Sequence, residues 1–345
     1  MWRECLYWQV NQKISLLLAL LSGPVFGLTG FAQPATPITE VVAATKKFLA
    51  TLDDGQREKV VFDFKDAEQR KRWSNLPTSM AKRAGLRMGD LTPPQREAVL
   101  AILKAALSPQ GYEKVWQIVE SDEALKQSTG QKMFGRDEYY VSFLGQPSTT
   151  GPWMIQFGGH HLAINLTLTG EQGTLAPSHT AAQPAIFELE GKTVRPLGRE
   201  TDKAFALITS LDDTQRKQAI LGVQMRDLVL GPGRDGQTIQ PEGVKGSALT
   251  EKQREMLLDL ASEWTGIMHD VHAKAKMDEV KKNMAETWFA WSGPTEKGGA
   301  AYFRIQGPTV IIEYAPQRLG GDPTKHIHTI YRDPTNEYGA KWWKP

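Results

Sequence analysis

His326-Ile327-His328 puts two imidazoles two positions apart near the end of the sequence. On a strand such residues point to the same side, which is how two nitrogen ligands reach one metal ion. A second pair, His160-His161, follows Gly158-Gly159 and opens a stretch where Leu162, Ile164, Leu166 and Leu168 alternate with Ala163, Asn165 and Thr167. Alternation assigns His161 and Asn165 to the more polar face and His160 to the apolar one. Which of the two faces a site stays open. Glu313 follows Val310-Ile311-Ile312, and a carboxylate enclosed at such a strand end needs a cation or several donors. Arg332 opens Arg332-Asp333-Pro334. There Asp-Pro starts a turn, and the guanidinium suits a carboxylate or phosphate. The expected centre is His161, His326 and His328 around a divalent metal, with Glu313 as fourth ligand or general base and Arg332 as a catalytic cation. A single buried histidine is usually a core residue. Two pairs beside glycines or a turn, with an aligned Glu, favour a site.

Other motifs point to structure. There is no Gly-x-Ser-x-Gly elbow, Walker loop or His-Glu-x-x-His helix. Gly231 to Gly236 fits Gly-x-Gly-x-x-Gly literally, but no helical pattern opens behind it, so it reads as a turn. His269 and His272 are expected on a solvated helix face. Trp288, Trp291 and Tyr302 are expected in the core rather than around a sugar.

The elements that must position these residues recur. Leu52-Asp53-Asp54-Gly55-Gln56-Arg57 returns as Leu211-Asp212-Asp213-Thr214-Gln215-Arg216, and Leu91-Thr92-Pro93-Pro94-Gln95-Arg96 as Leu249-Thr250-Glu251-Lys252-Gln253-Arg254. Phe143-Leu144-Gly145 aligns with Trp291-Ser292-Gly293, and Gly159–Asn165 with Gly307–Glu313. The separations are 159, 158, 148 and 148 residues, so one deletion in the second copy reconciles them. Asp or Thr followed three residues later by Gln is a helix-capping box. Beyond the caps the period becomes two, with strands expected over 138–144, 153–157, 161–169, 287–291, 301–305, 309–314 and 326–332. The fold class is therefore α+β: a tandem duplication, about 40–170 and 199–333, each copy helices followed by an antiparallel β-meander. The copies are expected to pair about a pseudo-twofold axis in a single domain over 33–345. Residues 171–198 read as a linker, and the His326–Arg332 strand as an addition of the second copy.

The 345 residues carry 41 Lys or Arg and 39 Asp or Glu, a net charge of +2, which argues against a nucleic-acid partner. Lys13, the apolar run Ile14–Leu28, and the small residues Gly30 and Ala32 read as a signal peptide over 1–32. The mature chain is then expected to be secreted or periplasmic, with no membrane anchor. Its only cysteine, Cys5, leaves with that segment, so thiol chemistry and disulfides are excluded from the mature chain.

The cap string at Leu52, Gly159-His160-His161-Leu162, Tyr302-Phe303-Arg304-Ile305-Gln306-Gly307, Glu313-Tyr314 and His326-Ile327-His328 with Tyr331-Arg332-Asp333-Pro334 resemble a bacterial family of secreted proteins, domain of unknown function 3500. The resemblance covers nearly the whole mature chain and implies export but no reaction. In that family's pattern an Asp is common after Glu-Tyr; here Ala315 stands in its place.

Two functions compete. One is a metal-dependent enzyme acting on a small molecule. Zn²⁺ would give hydrolysis, and Mn²⁺, Fe²⁺ or Cu²⁺ are alternatives that open oxygen chemistry; hydrolysis is slightly favoured. The other is a non-catalytic binding protein that holds a small acidic or sugar ligand with Arg304, Arg332 and the tryptophans. The oligomeric state is not legible.

Overall fold

The computed structural model describes residues 36–319 and 321–343; the expected signal peptide lies outside them. The first half opens with helices α1 (Pro37–Ala50), α2 (Asp54–Val60), α3 (Ala67–Arg70), α4 (Pro93–Ala106) and α5 (Pro109–Thr129). Within them run the short strands β1 (Val61–Phe62) and β2 (Leu86–Arg87). A meander follows: β3 (Tyr140–Leu144), β4 (Trp153–Gly158) and β5 (Leu162–Thr169). Next come β6 (Gln172–Thr174), β7 (Ser178–Ala182), β8 (Phe187–Leu189) and β9 (Lys192–Val194). The second half has helices α6 (Gly198–Ser210), α7 (Asp213–Ala219), α8 (Glu251–Thr265) and α9 (Asp270–Lys282). Its strands are β10 (Val244–Lys245), β11 (Trp288–Ser292), β12 (Tyr302–Gly307), β13 (Val310–Pro316) and β14 (Ile327–Arg332).

The helix starts follow the cap strings. Asp53, Thr92, Asp212 and Thr250 are N-caps with a complete capping box each. The four glutamines also join in pairs, Gln95 Nε2 donating to Gln56 Oε1 (3.1 Å) and Gln215 and Gln253 exchanging amide hydrogen bonds at 2.9 Å. Gln253 Nε2 reaches the Ser210 carbonyl as well. Its side chain therefore closes one helix and ties it to the end of another. Gln253→Ala removes a capping return and strands buried polar groups, so a loss of about 2–3 kcal/mol in denaturant unfolding is expected. Adding Gln215→Ala should produce less than the sum of the two single losses, because the pair shares its bonds.

The strands build one mixed sheet in the order β1-β3-β4-β5-β7-β14-β13-β12-β11-β10, with β2 on β3 and β6 on β5. One face is apolar: Ile164, Leu166, Phe303 and Ile312 lie in a core shared with Val99, Ile102 and Leu103 of α4 and Leu257, Leu260 and Trp264 of α8. Those helix residues recur at three- and four-residue spacing, as a helix with one buried stripe does. The opposite face carries buried Ser142, Gln156, Asn165, Arg304 and Glu313. Segments without regular strands cover it, through contacts such as Gln69 Nε2 to Gln156 Oε1 (3.0 Å) and Glu242 to Arg304 (2.8 Å).

The two halves repeat their registers. Gln156 pairs with Asn165 as Arg304 pairs with Glu313, Leu86 with Val141 as Val244 with Phe289, and Val61 with Phe143 as Ile220 with Trp291. Two expectations need correction. Residues 171–198 are more than a linker, since they supply β7, which lies at the middle of the sheet. The second is the place of β14: it is not an edge addition, since it lies between β7 and β13, and β7 lies beside β5 as β14 lies beside β13. The halves meet along β7 and β14, where Thr180 faces Thr329 with hydroxyls 2.7 Å apart, and Trp264 Nε1 donates to the Thr329 hydroxyl at 2.8 Å.

Candidate metal centre

The register of the central strands explains how distant histidines meet. His328 of β14 lies opposite Ala181 of β7 on one side and Ala315 of β13 on the other. The Ala181 amide donates to the His161 carbonyl at 2.8 Å, so His161 stands across the same alanine. Ala181 has only a methyl group to place between them, and the centroids of the two rings are 5.3 Å apart. His326, two residues before His328, completes the group from the chain that enters β14. Its Nε2 stands 3.1 Å from Nε2 of His161 and 3.0 Å from Nε2 of His328. Ligands about 2.0–2.1 Å from one ion at a tetrahedral angle are roughly 3.3–3.4 Å apart. An opening of a few tenths of an ångström would admit an ion, and the three groups could hold one.

Burial, and the hydrogen bonding of His326, suit that use. His161 is 1% exposed, His326 5% and His328 6%. Burial above all, then neighbouring imidazoles, holds His161 and His328 well below the usual histidine range, and burial also lowers His326. Neutral rings keep lone pairs. His326 Nδ1 lies 2.7 Å from the Leu319 carbonyl. A carbonyl can only accept, so the proton sits on Nδ1 and the Nε2 lone pair faces its two neighbours. Asn75 Nδ2 is 3.4 Å from His328 Nδ1. Arg83 secures the Asn75 loop by donating to the carbonyls of Ser74 (2.7 Å), Leu76 (2.9 Å) and Gly159 (2.9 Å).

His161 has a backbone φ of +64°, a left-handed conformation that costs a non-glycine residue about 1–3 kcal/mol. This kink answers the question left by the sequence. His161 Nε2 meets His326, while His160 is engaged by Asp122, its Nδ1 2.6 Å from Oδ1.

Two expected residues do not join. Glu313 is fully buried, but its oxygens accept from the amides of Leu230 (2.7 Å) and Val229 (2.8 Å) and from the Tyr302 hydroxyl (2.7 Å). Several donors, the other solution for an enclosed carboxylate, have replaced the cation. Glu313 pairs with Ile330, two positions along from His328, and is neither fourth ligand nor general base in this geometry. Arg332 is likewise held by other groups. It pairs with Glu337 and donates to the carbonyls of Leu230 (2.7 Å) and Gly231 (3.0 Å). Residues 231–236 form turns rather than a phosphate loop, His269 caps α9, and His272 is buried instead of solvated.

One neighbour was missed. His179 of β7 is buried, stacks near Trp73 (6.4 Å between centroids) and meets the edge of His328 at 5.4 Å. Burial pushes it down to about 3. The signal was His179-Thr180, which repeats as His328-Thr329.

Fold and centre define a mixed α+β protein with a buried, all-imidazole group that could take a metal. The chain belongs to the family described as Protein of unknown function (DUF3500), whose model matches residues 34–340. No curated protein and no solved structure matches it.

Proposed function

We propose that the protein is a metal-dependent enzyme of the cell envelope that binds one divalent ion through His161, His326 and His328 and uses it in hydrolysis. The observation that carries this reading is the convergence of three buried imidazoles, with Nε2 of His326 3.1 Å from that of His161 and 3.0 Å from that of His328. His161, His326 and His328 would hold the ion, and a Zn²⁺ held by three histidines would supply the Lewis acid that hydrolysis needs. Imidazole ligands also suit Cu²⁺, Fe²⁺ and Ni²⁺. Glu313, held by the Val229 and Leu230 amides and the Tyr302 hydroxyl, would take no part as a base. The binding-protein alternative loses support because its two cations are occupied, Arg304 by Glu242 and Arg332 by Glu337. Export is supported by a family match that begins at residue 34, just beyond the proposed cleavage after Ala32.

The repeated caps, registers and the His-Thr string support a duplication whose copies pair across β7 and β14 about a pseudo-twofold axis. Only the second half combines His326 and His328, so the centre would have arisen once on a symmetric frame.

The experiment is a hydrolase screen on tag-free protein, metal-stripped and then reloaded with Zn²⁺ or Cu²⁺. Activity should require metal and vanish in His328→Ala; activity that survives both treatments would contradict the reading. A carboxylate can also be added by design. Ala315 faces His328, so Ala315→Asp is expected to tighten Zn²⁺ binding by about tenfold or more, the equivalent of 1.4 kcal/mol, in competition titrations. Weaker binding would show that position 315 does not reach the ion.

A further inference from the structure

We propose that Asp122 and His160 are positioning residues of this centre, acting through a ring stacked on His161. The proposal rests on the metal reading above. A metal-bound histidine almost always donates its second ring nitrogen to a carboxylate, carbonyl or water, which fixes the ring's orientation. His326 has that support from the Leu319 carbonyl. His161 does not: its Nδ1 is buried without a hydrogen-bond partner among the described residues. What lies against it is the ring of His160, with centroids 3.5 Å apart and planes 28° apart.

His160 is itself fixed. Asp122 of α5 is 0% exposed; its Oδ1 meets His160 Nδ1 at 2.6 Å, and its Oδ2 accepts from the Gly135 amide at 2.9 Å. The Tyr139 hydroxyl donates to the His160 carbonyl at 2.9 Å, and the Phe134 ring lies 4.8 Å from the imidazole. The support therefore runs from α5 to Asp122, to His160, and by stacking to His161. One possible ligand atom from each of Asp122, His160 and His161 also lies within 4.8 Å of the others, which resembles a second ligand set. Both Asp122 oxygens are already engaged, which favours a brace over a second ion.

The test uses the tag-free chain titrated with Co²⁺, whose visible spectrum reports ligand geometry. Wild type should bind one Co²⁺, and His326→Ala none. His160→Ala and Asp122→Asn should each bind roughly 10–100-fold more weakly, with shifted visible bands. The double variant Asp122→Ala with His160→Phe restores a stacked ring and leaves no buried charge. It should recover most of the affinity. Wild-type affinity and spectrum in either single variant would overturn the proposal while leaving the three-histidine reading intact. If His160→Ala does not fold, Asp122→Asn, which keeps the side chain's size, decides in the same way. Two ions in wild type falling to one in His160→Ala would also overturn it, in favour of a second site. Wild type that binds no Co²⁺ overturns this inference and the metal reading together.

Discussion

His326→Ala is expected to abolish stoichiometric metal binding. Of the three nitrogens, Nε2 of His326 is the shared one, 3.1 Å from His161 and 3.0 Å from His328. Its removal leaves His161 and His328 without the nitrogen that both approach. Loss of an outer partner weakens a metal site by roughly 10–100-fold, and loss of a direct ligand should exceed that. Metal analysis of protein made without a His tag provides the first check. Thermal unfolding provides a second, because an ion at 100 times its Kd stabilises the native state by about 2.7 kcal/mol. Added metal should therefore raise the Tm of wild type and leave that of His326→Ala unchanged. A variant that keeps its ion would contradict the assignment.

The second large effect concerns the fold. A fragment spanning 33–198 is expected not to fold as a monomer. In the full chain β7 of this fragment pairs with β14 along five register positions. Leu107 and Met268 bridge the halves at a second place, where the Ser108 amide donates to the Ile267 carbonyl at 3.1 Å. Lys114 reaches across to Glu200 (2.6 Å) and Glu263 (3.3 Å) in the other half. Cutting here exposes a central strand edge, opens the shared core and leaves a buried lysine without its carboxylates. Circular dichroism and sedimentation of the fragment are the measurements; a cooperative, monomeric unfolding transition would show that the halves are independent.

Much of this was legible because it is local. Alternation marked β5 and β14, and the Asp-or-Thr to Gln spacing marked four helix starts, since both depend on neighbours in sequence. His326 and His328 followed from strand geometry alone. Glu313 was misplaced because the register between strands is set by the pairing of β13 with β14, which neither strand encodes by itself. That register brings Ala315 to His328 and sends Glu313 to the Val229 and Leu230 amides. His179 went unseen because β7 is a short run of small residues, Ser178-His179-Thr180-Ala181-Ala182, inside a stretch without strong periodicity. Small residues are what the centre needs there, since Ala181 makes room for the imidazoles. The approach of His161 to His326 involves a left-handed backbone, φ +64°, that no alternation rule foresees.

X-ray absorption at the metal edge of the wild-type chain, loaded with one equivalent of Zn²⁺, tests the central claim most directly. Three imidazole nitrogens at about 2.0–2.1 Å and one further light ligand from solvent are predicted. A spectrum with fewer than three imidazoles, or one unchanged in His161→Ala, would contradict it.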